Sequence, residues 1–249
     1  MTEITLTSEI KVEATRQMGG DHMVVAAARV STAGDDCMQY NEPNFTEENY
    51  GLINYLMKHK HGTPFEHGSI TFFVRAPIFV WREWHRHRIG FSYNEESGRY
   101  KKLEPEFYIP NSDRPLFKLG DNWKPGHPKF RTIDKLSDED FDKFEDLNSN
   151  LIELYKIAYC CYEDNLKMGF DPGIARACLP VAIMSSCWVT CNPRSLMAFL
   201  ALRTHEPTAN HVSYPLYEIE VAARKCEDIF AEYWPLTYKS FCENGRTAP

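Results

Sequence analysis

Residues 77–100 read PIFVWREWHRHRIGFSYNEESGRY, and the reading of this stretch decides how the rest of the chain is placed. Pro77 suits the first turn of a helix, where a missing backbone N–H costs nothing. The spacing that follows predicts a helix carrying FVWREWHRHR to about residue 89. On such a helix Arg82 and Arg86, four apart, share one face, while His85 and Arg88 share another. Phe79, Val80, Trp81 and Trp84 are interleaved with the charges, so part of the helix is expected to be buried. One reading is a basic helix paired with acidic side chains. The other is a site for planar anionic ligands, because arginine presents a bidentate fork to phosphate and stacks on ring faces. The run Ser92-Tyr93-Asn94-Glu95-Glu96-Ser97-Gly98-Arg99-Tyr100 reads as a polar loop able to wrap a small ligand, with Gly98 allowing close backbone approach.

Working outward, residues 4–14 and 69–75 suit strands, 22–30 a helix ending near Ser31, and 46–58 a helix with Thr46 as its N-cap. His61-Gly62-Thr63-Pro64-Phe65-Glu66-His67 is rich in turn formers. Residues 106–109 suit a short strand, and 110–135, rich in Pro, Gly, Asp and Lys, a surface loop or insertion. A long amphipathic helix is expected over 137–168, starting at Ser137 and ending at Gly169. A short helix at 172–178, a strand at 182–190 and helices at 193–203 and about 215–234 complete the chain. Strands and helices mixed around one core point to an α+β (α/β mixed) fold over residues 1–249, read as a single domain.

The chain has 249 residues and a net charge of −7, with 43% hydrophobic and 25% charged residues. An ordinary core is expected. The acidic balance argues against nucleic acid as a partner, so any anion site must be a local concentration of cations. No apolar stretch is long enough to span a membrane, and the first residues do not form a signal peptide, so a cytoplasmic chain with its eight cysteines reduced is expected. Cys187 and Cys191, in IMSSCWVTC, read as strand-core residues. The spacing of His59, His61 and His67 fits no common zinc pattern, so no metal is expected. A second polar cluster, Asn192-Pro193-Arg194-Ser195, precedes a helix that ends on Arg203, and Asn192 equally reads as a plain helix cap.

RHRIGFSYNEESGRY, with PIFVWREW before it and EFYIP after, resembles the hallmark motif of the flavin-dependent thymidylate synthases. AARVS at 27–31, HGTPFEH at 61–67, IARACLP at 174–180 and NPRSLMAFLALR at 192–203 fall in that family's order. The resemblance covers roughly residues 24–110 and 150–249. It implies a mainly antiparallel sheet flanked by helices. It also implies reductive methylation of dUMP to dTMP, with methylenetetrahydrofolate as carbon donor, FAD as redox cofactor and NADPH as reductant, in a homotetramer whose active sites are shared between subunits. Arg86, His87 and Arg88 would hold FAD, with Ser31, Thr63, Glu66, Glu95, Asn192 and Arg194 also lining its site. Glu95, Glu96, Ser97, Gly98 and Arg99 would bind dUMP, helped by Glu83, Arg86, Arg176 and Arg203. Ser97 and Arg203 are the implied catalytic pair, the guanidinium of Arg203 lying against the uracil. No cysteine nucleophile is implied. Two departures stand out. Eight residues separate Arg88 from Ser97 where the family commonly has seven, so a bulge is expected around Ile89–Phe91. Ala198 replaces a residue that is often polar. The histidine that follows the last arginine in relatives corresponds to His205 or His211. A nucleotide- or RNA-binding module without redox chemistry is the alternative, and it predicts a colourless protein with salt-sensitive polynucleotide binding.

Overall fold

The computed structural model describes residues 3–41, 47–118, 130–131 and 137–249. They pack into two compact units, and the chain crosses between them several times. One comprises Met1–Lys11, Arg75–Trp84 and Glu95–Cys187, the other Val12–Val74, His85–Asn94 and Trp188–Pro249.

The fold is the expected α+β mixture, an open antiparallel sheet flanked by helices. Its four strands are β2 (Lys11–Met18), β3 (Ser69–Pro77), β8 (Met184–Cys191) and β4 (Phe91–Glu95), in the order β2-β3-β8-β4. β3 and β8 are the central pair, and β3 alternates half-buried and buried side chains from Ser69 to Ala76. On β8, Cys187 and Cys191 are both buried, as the strand-core reading requires. The region expected to form one strand over 4–14 is broken. β1 (Thr5–Thr7) pairs in parallel with β5 (Glu106–Tyr108). The Thr7 hydroxyl then accepts from the Glu9 N–H, and this local turn separates β1 from β2.

In the first unit the core is aromatic. Phe107, Tyr155, Tyr159 and Tyr162 pack with Ala175 and Ile183. Three of these tyrosines lie on α4 (Asp138–Lys167), which Ser137 caps as expected, its side chain accepting from the Asp140 N–H. α5 (Pro172–Ala175) and a 3-10 turn (Arg176–Cys178) follow. Within the loop expected at 110–135, β6 (Phe117–Lys118) pairs antiparallel with β7 (Phe130–Arg131), forming a two-stranded ladder that the composition did not suggest.

In the second unit α1 (Asp21–Ala33), α2 (Glu47–Lys58), α6 (Pro193–Arg203), α7 (Tyr217–Tyr233) and α8 (Pro235–Glu243) bury Val25, Ile53, Met57, Leu200, Ile219, Phe230 and Trp234. The expected N-cap Thr46 lies outside the described residues. The helix α8 was not expected. Its cap comes from a distant segment: the buried Asp21 carboxylate accepts from the N–H groups of Leu236 and Thr237, at 2.8 and 2.9 Å.

The main correction concerns the opening stretch. α3 spans only Ile78–Trp84. His85–Gly90 is a turn, and Phe91–Glu95 is the edge strand β4, not part of a polar loop. Helical spacing runs on past Trp84, but pairing 91–95 in the sheet requires the chain to reverse first, and that tertiary demand overrides local propensity. Arg86 and Arg88 therefore do not share helix faces with Arg82 and His85.

Candidate active site

The turn after α3 is shaped by two features. Gly90 adopts φ +70°, and a Cβ there would lie 2.1 Å from the Ser195 Oγ, so only glycine fits. The Tyr93 hydroxyl donates to the His87 carbonyl at 2.6 Å, satisfying a group that a continuing helix would have bonded. Ile89 projects outward from this turn, 91% exposed. The side chains of Arg86 and Arg88 are exposed. His87 is half-buried, its ring edge-on to Phe199 at 5.0 Å.

α6 contributes both of its ends to the same unit. At the N-terminus the Asn192 Oδ1 accepts from the Ser195 N–H at 2.8 Å, so the cap reading holds. Arg194 meets Glu66 at 2.5 Å and donates through Nε to the Pro249 carbonyl at 2.7 Å. Glu66 and the exposed Thr63 lie on the 3-10 turn Thr63–Glu66 of the HGTPFEH loop. At the C-terminus Arg203 Nε donates to His87 Nε2 at 3.0 Å. Because that nitrogen accepts, the imidazole is neutral with its proton on Nδ1. Ser31 lies on the exposed side of α1, its hydroxyl turned back to the Ala28 carbonyl. Beside it a groove of about 310 Å³ is lined by Met23, Ala27, Val30, Met38 and His67, among others. Ala198 is exposed on α6. His205 is committed through Nδ1 to the Ser213 carbonyl at 2.8 Å, while His211 is exposed.

The other unit holds the rest of the implied residues. Glu95 Oε1 accepts from the Ser185 hydroxyl at 2.6 Å. Glu96 Oε1 accepts from the Ser186 N–H at 2.9 Å and lies 3.7 Å from Arg75, and its other oxygen is 3.2 Å from Lys101 Nζ. Arg75 also pairs with Glu106 and donates to the Ser186 hydroxyl at 2.9 Å. Ser97 opens a tight turn: its carbonyl accepts from Tyr100 N–H, and its hydroxyl from Arg99 N–H. Gly98 is buried, and a Cβ there would stand 3.1 Å from the Arg176 side chain. The close approach that this glycine permits is to Arg176 as well as to any ligand. Arg99 and Arg176 are exposed, and Glu83 lies in the last turn of α3.

The arrangement thus has two parts. One presents guanidinium groups around a turn and the ends of a helix. The other presents Ser97, Arg99 and Arg176 around a loop whose carboxylates are already paired. The sequence did not single out Arg75, Ser185 or Ser186. Their only sequence signal was position, one at the end of a strand and two on the strand carrying SSC.

The model for the thymidylate synthase complementing protein family matches residues 13–236. The chain is 46% identical to the flavin-dependent thymidylate synthase of Streptomyces coelicolor, over 99% of this chain and 96% of that protein. It is 42% identical to the enzyme of the same name from Tropheryma whipplei, over 97% and 96%. This chain belongs to the flavin-dependent thymidylate synthase family. Among solved structures, the UMP/dUMP methylase PolB of Streptomyces cacaoi, bound with 5-Br dUMP, matches with a TM-score of 0.87 and 41% identity, covering 99% of this chain and all of that one. As a member of the family the chain is an enzyme with FAD as its cofactor. The donor set suits that group: a dinucleotide diphosphate calls for guanidinium forks, which the exposed Arg86 and Arg88 supply in a chain of net charge −7.

Proposed function

We propose that this chain, acting as one synthase domain over residues 1–249, methylates dUMP to dTMP. Methylenetetrahydrofolate is the carbon donor and NADPH the reductant. The observation that carries the reading is the 3.0 Å hydrogen bond between Arg203 and His87. It joins two family segments, NPRSLMAFLALR and RHR, that lie 116 residues apart.

FAD, when bound, supplies the electron pair that reduces the transferred one-carbon unit to a methyl group. Arg86, His87, Arg88, Asn192 and Arg194 are assigned to hold it, with Ser31, Thr63 and Glu66 at its edges. Cations at these positions also stabilise the negative charge of a reduced flavin. Ser97, Gly98, Arg99 and Arg176 are assigned to the nucleotide, where arginine forks and turn amides suit a phosphate. The guanidinium of Arg203 stays protonated at any working pH, so it stabilises negative charge developing on the uracil. Its Nε is held by His87, which ties the α6 end to the RHR turn. Glu95 and Glu96 support the loop that carries Ser97, their carboxylates being committed to Ser185, Ser186, Arg75 and Lys101. Glu83 completes the nucleotide set. Among the described residues no helix is long and apolar enough to cross a membrane, and we assign the enzyme to the cytoplasm. Assembly as a homotetramer with shared sites is supported by the apolar groove beside Ser31, whose Val30 and Met38 are 56% and 66% exposed.

The purified protein should show oxidised-flavin absorption near about 450 nm. Photoreduced enzyme should reoxidise with methylenetetrahydrofolate only when dUMP is present, forming dTMP. A colourless protein that takes up no FAD would overturn the reading.

A further inference from the structure

The assigned uracil-facing residue, Arg203, is the last residue of α6. Helix termini lack intrahelical partners and fray first, so this is an unfavourable place to hold a side chain to within a fraction of an ångström. The residues that follow it are held unusually firmly. Thr204 leaves the helix in an extended conformation and is only 2% exposed. Its N–H and its hydroxyl both return to the Leu200 carbonyl, at 3.1 and 2.7 Å. The same hydroxyl accepts from Arg246 Nη2 at 2.9 Å. Arg246 is itself buried and adopts φ +54°, a conformation unfavourable for a side-chain-bearing residue that persists only where surrounding contacts impose it. Its Nη1 meets Glu227 Oε1 at 2.5 Å, and both side chains are 5% exposed. Glu227 also accepts from Tyr238 and pairs with Arg224. Arg224 in turn donates to the His205 carbonyl, while Glu220 accepts from the His205 N–H at 2.8 Å.

We propose that Arg246 is a positioning residue for the methylation step: through the Thr204 hydroxyl it clamps the C-terminal end of α6, so that Arg203 reaches the substrate ring in one fixed direction. The buried Arg246–Glu227 pair is the anchor, and the Thr204 hydroxyl is the joint between anchor and helix. A preorganised charge needs no reorganisation as the reaction proceeds, and misplacing it by about 1 Å is costly in rate. The inference rests on the assignment of Arg203 to the uracil.

The joint can be cut while the anchor is kept. Thr204→Val preserves shape and leaves the Arg246–Glu227 pair intact. It should lower kcat roughly tenfold, with little change in the KM for dUMP or in flavin content, while the melting midpoint falls by several degrees because the buried Arg246 Nη2 loses its acceptor. Thr204→Ser, which restores the hydroxyl, should recover most of the rate. In Thr204→Val the amides of residues 203–206 should exchange hydrogen faster than in the parent enzyme. Arg246→Lys keeps the charge on Glu227 but lacks the fork that spans both partners, and it should show the same kcat loss. Wild-type kcat in Thr204→Val overturns the proposal. If that variant does not fold, wild-type kcat in Arg246→Lys overturns it instead. The underlying assignment fails differently: Arg203→Ala would then keep near-normal turnover.

Discussion

Residues 85–90 and residues 95–101 flank one short strand in the sequence and carry the same family motif, yet they are held in opposite ways. In 85–90 the backbone is fixed and the charges point outward. Tyr93 satisfies the His87 carbonyl, Gly90 fits against Ser195, and Arg86 and Arg88 remain exposed. In 95–101 the charges fix the backbone. Glu95 and Glu96 bond to consecutive serines of β8, and Arg75 and Lys101 balance Glu96. The difference follows from what each segment is proposed to bind. A segment that attracts an anion by charge must leave its cations accessible. A segment that receives an anionic nucleotide while carrying two carboxylates must neutralise them first, or repulsion weakens binding.

Substitutions at four positions test this contrast. Arg203→Ala should have the largest effect, lowering kcat by roughly 100- to 1,000-fold while the flavin spectrum is retained. dTMP formation and absorbance measured on the same preparation check it. Loss of flavin together with activity would instead place Arg203 in the cofactor site. Gly90→Ala attacks the backbone-held segment. A positive φ and the clash with Ser195 should destabilise the protein by about 1–3 kcal/mol and lower the flavin-to-protein ratio. Urea unfolding and the absorbance ratio report the two effects separately. Arg75→Met attacks the charge-held segment. It should raise the KM for dUMP roughly tenfold, most at low salt, without loss of flavin, since it leaves Glu96 and Glu106 less compensated. A KM independent of salt would show that Arg75 acts through packing alone. The smallest effect separates the two readings of Asn192. Asn192→Ala should cost about 1 kcal/mol through the lost helix cap. Asn192→Asp keeps the cap, so its melting midpoint should match the parent, but its added negative charge should weaken FAD binding. An Asp variant with unchanged flavin affinity would reduce Asn192 to a cap.

Much of the molecule was legible in the sequence because its signals are local. Ser137 and Gly169 bracket α4 because a capping hydroxyl and a residue at φ +83° act within a few positions of themselves. Pro193 after Asn192 marks the start of α6 for the same reason. The strand core around Cys187 and Cys191 followed from apolar patterning. The failures are equally specific. The α3 helix is expected about five residues beyond its end at Trp84 because nothing local in HRHR opposes a helix, and the edge strand FSYNE is hidden by its polar residues.

By itself the sequence determined the family, the order of its motif segments, the placement of most helices and the types of side chain available for an anionic cofactor and nucleotide. Those depend on residue identity and short-range spacing. The tertiary structure decided three things that no local signal contains. It ended α3 at Trp84, because β4 must turn back to pair in the sheet. It gave α8 its cap from Asp21, 215 residues away. And it brought Arg203 to His87 while locking the next residue through Arg246. Each is a contact between residues far apart in the chain, formed only once the core has brought them together.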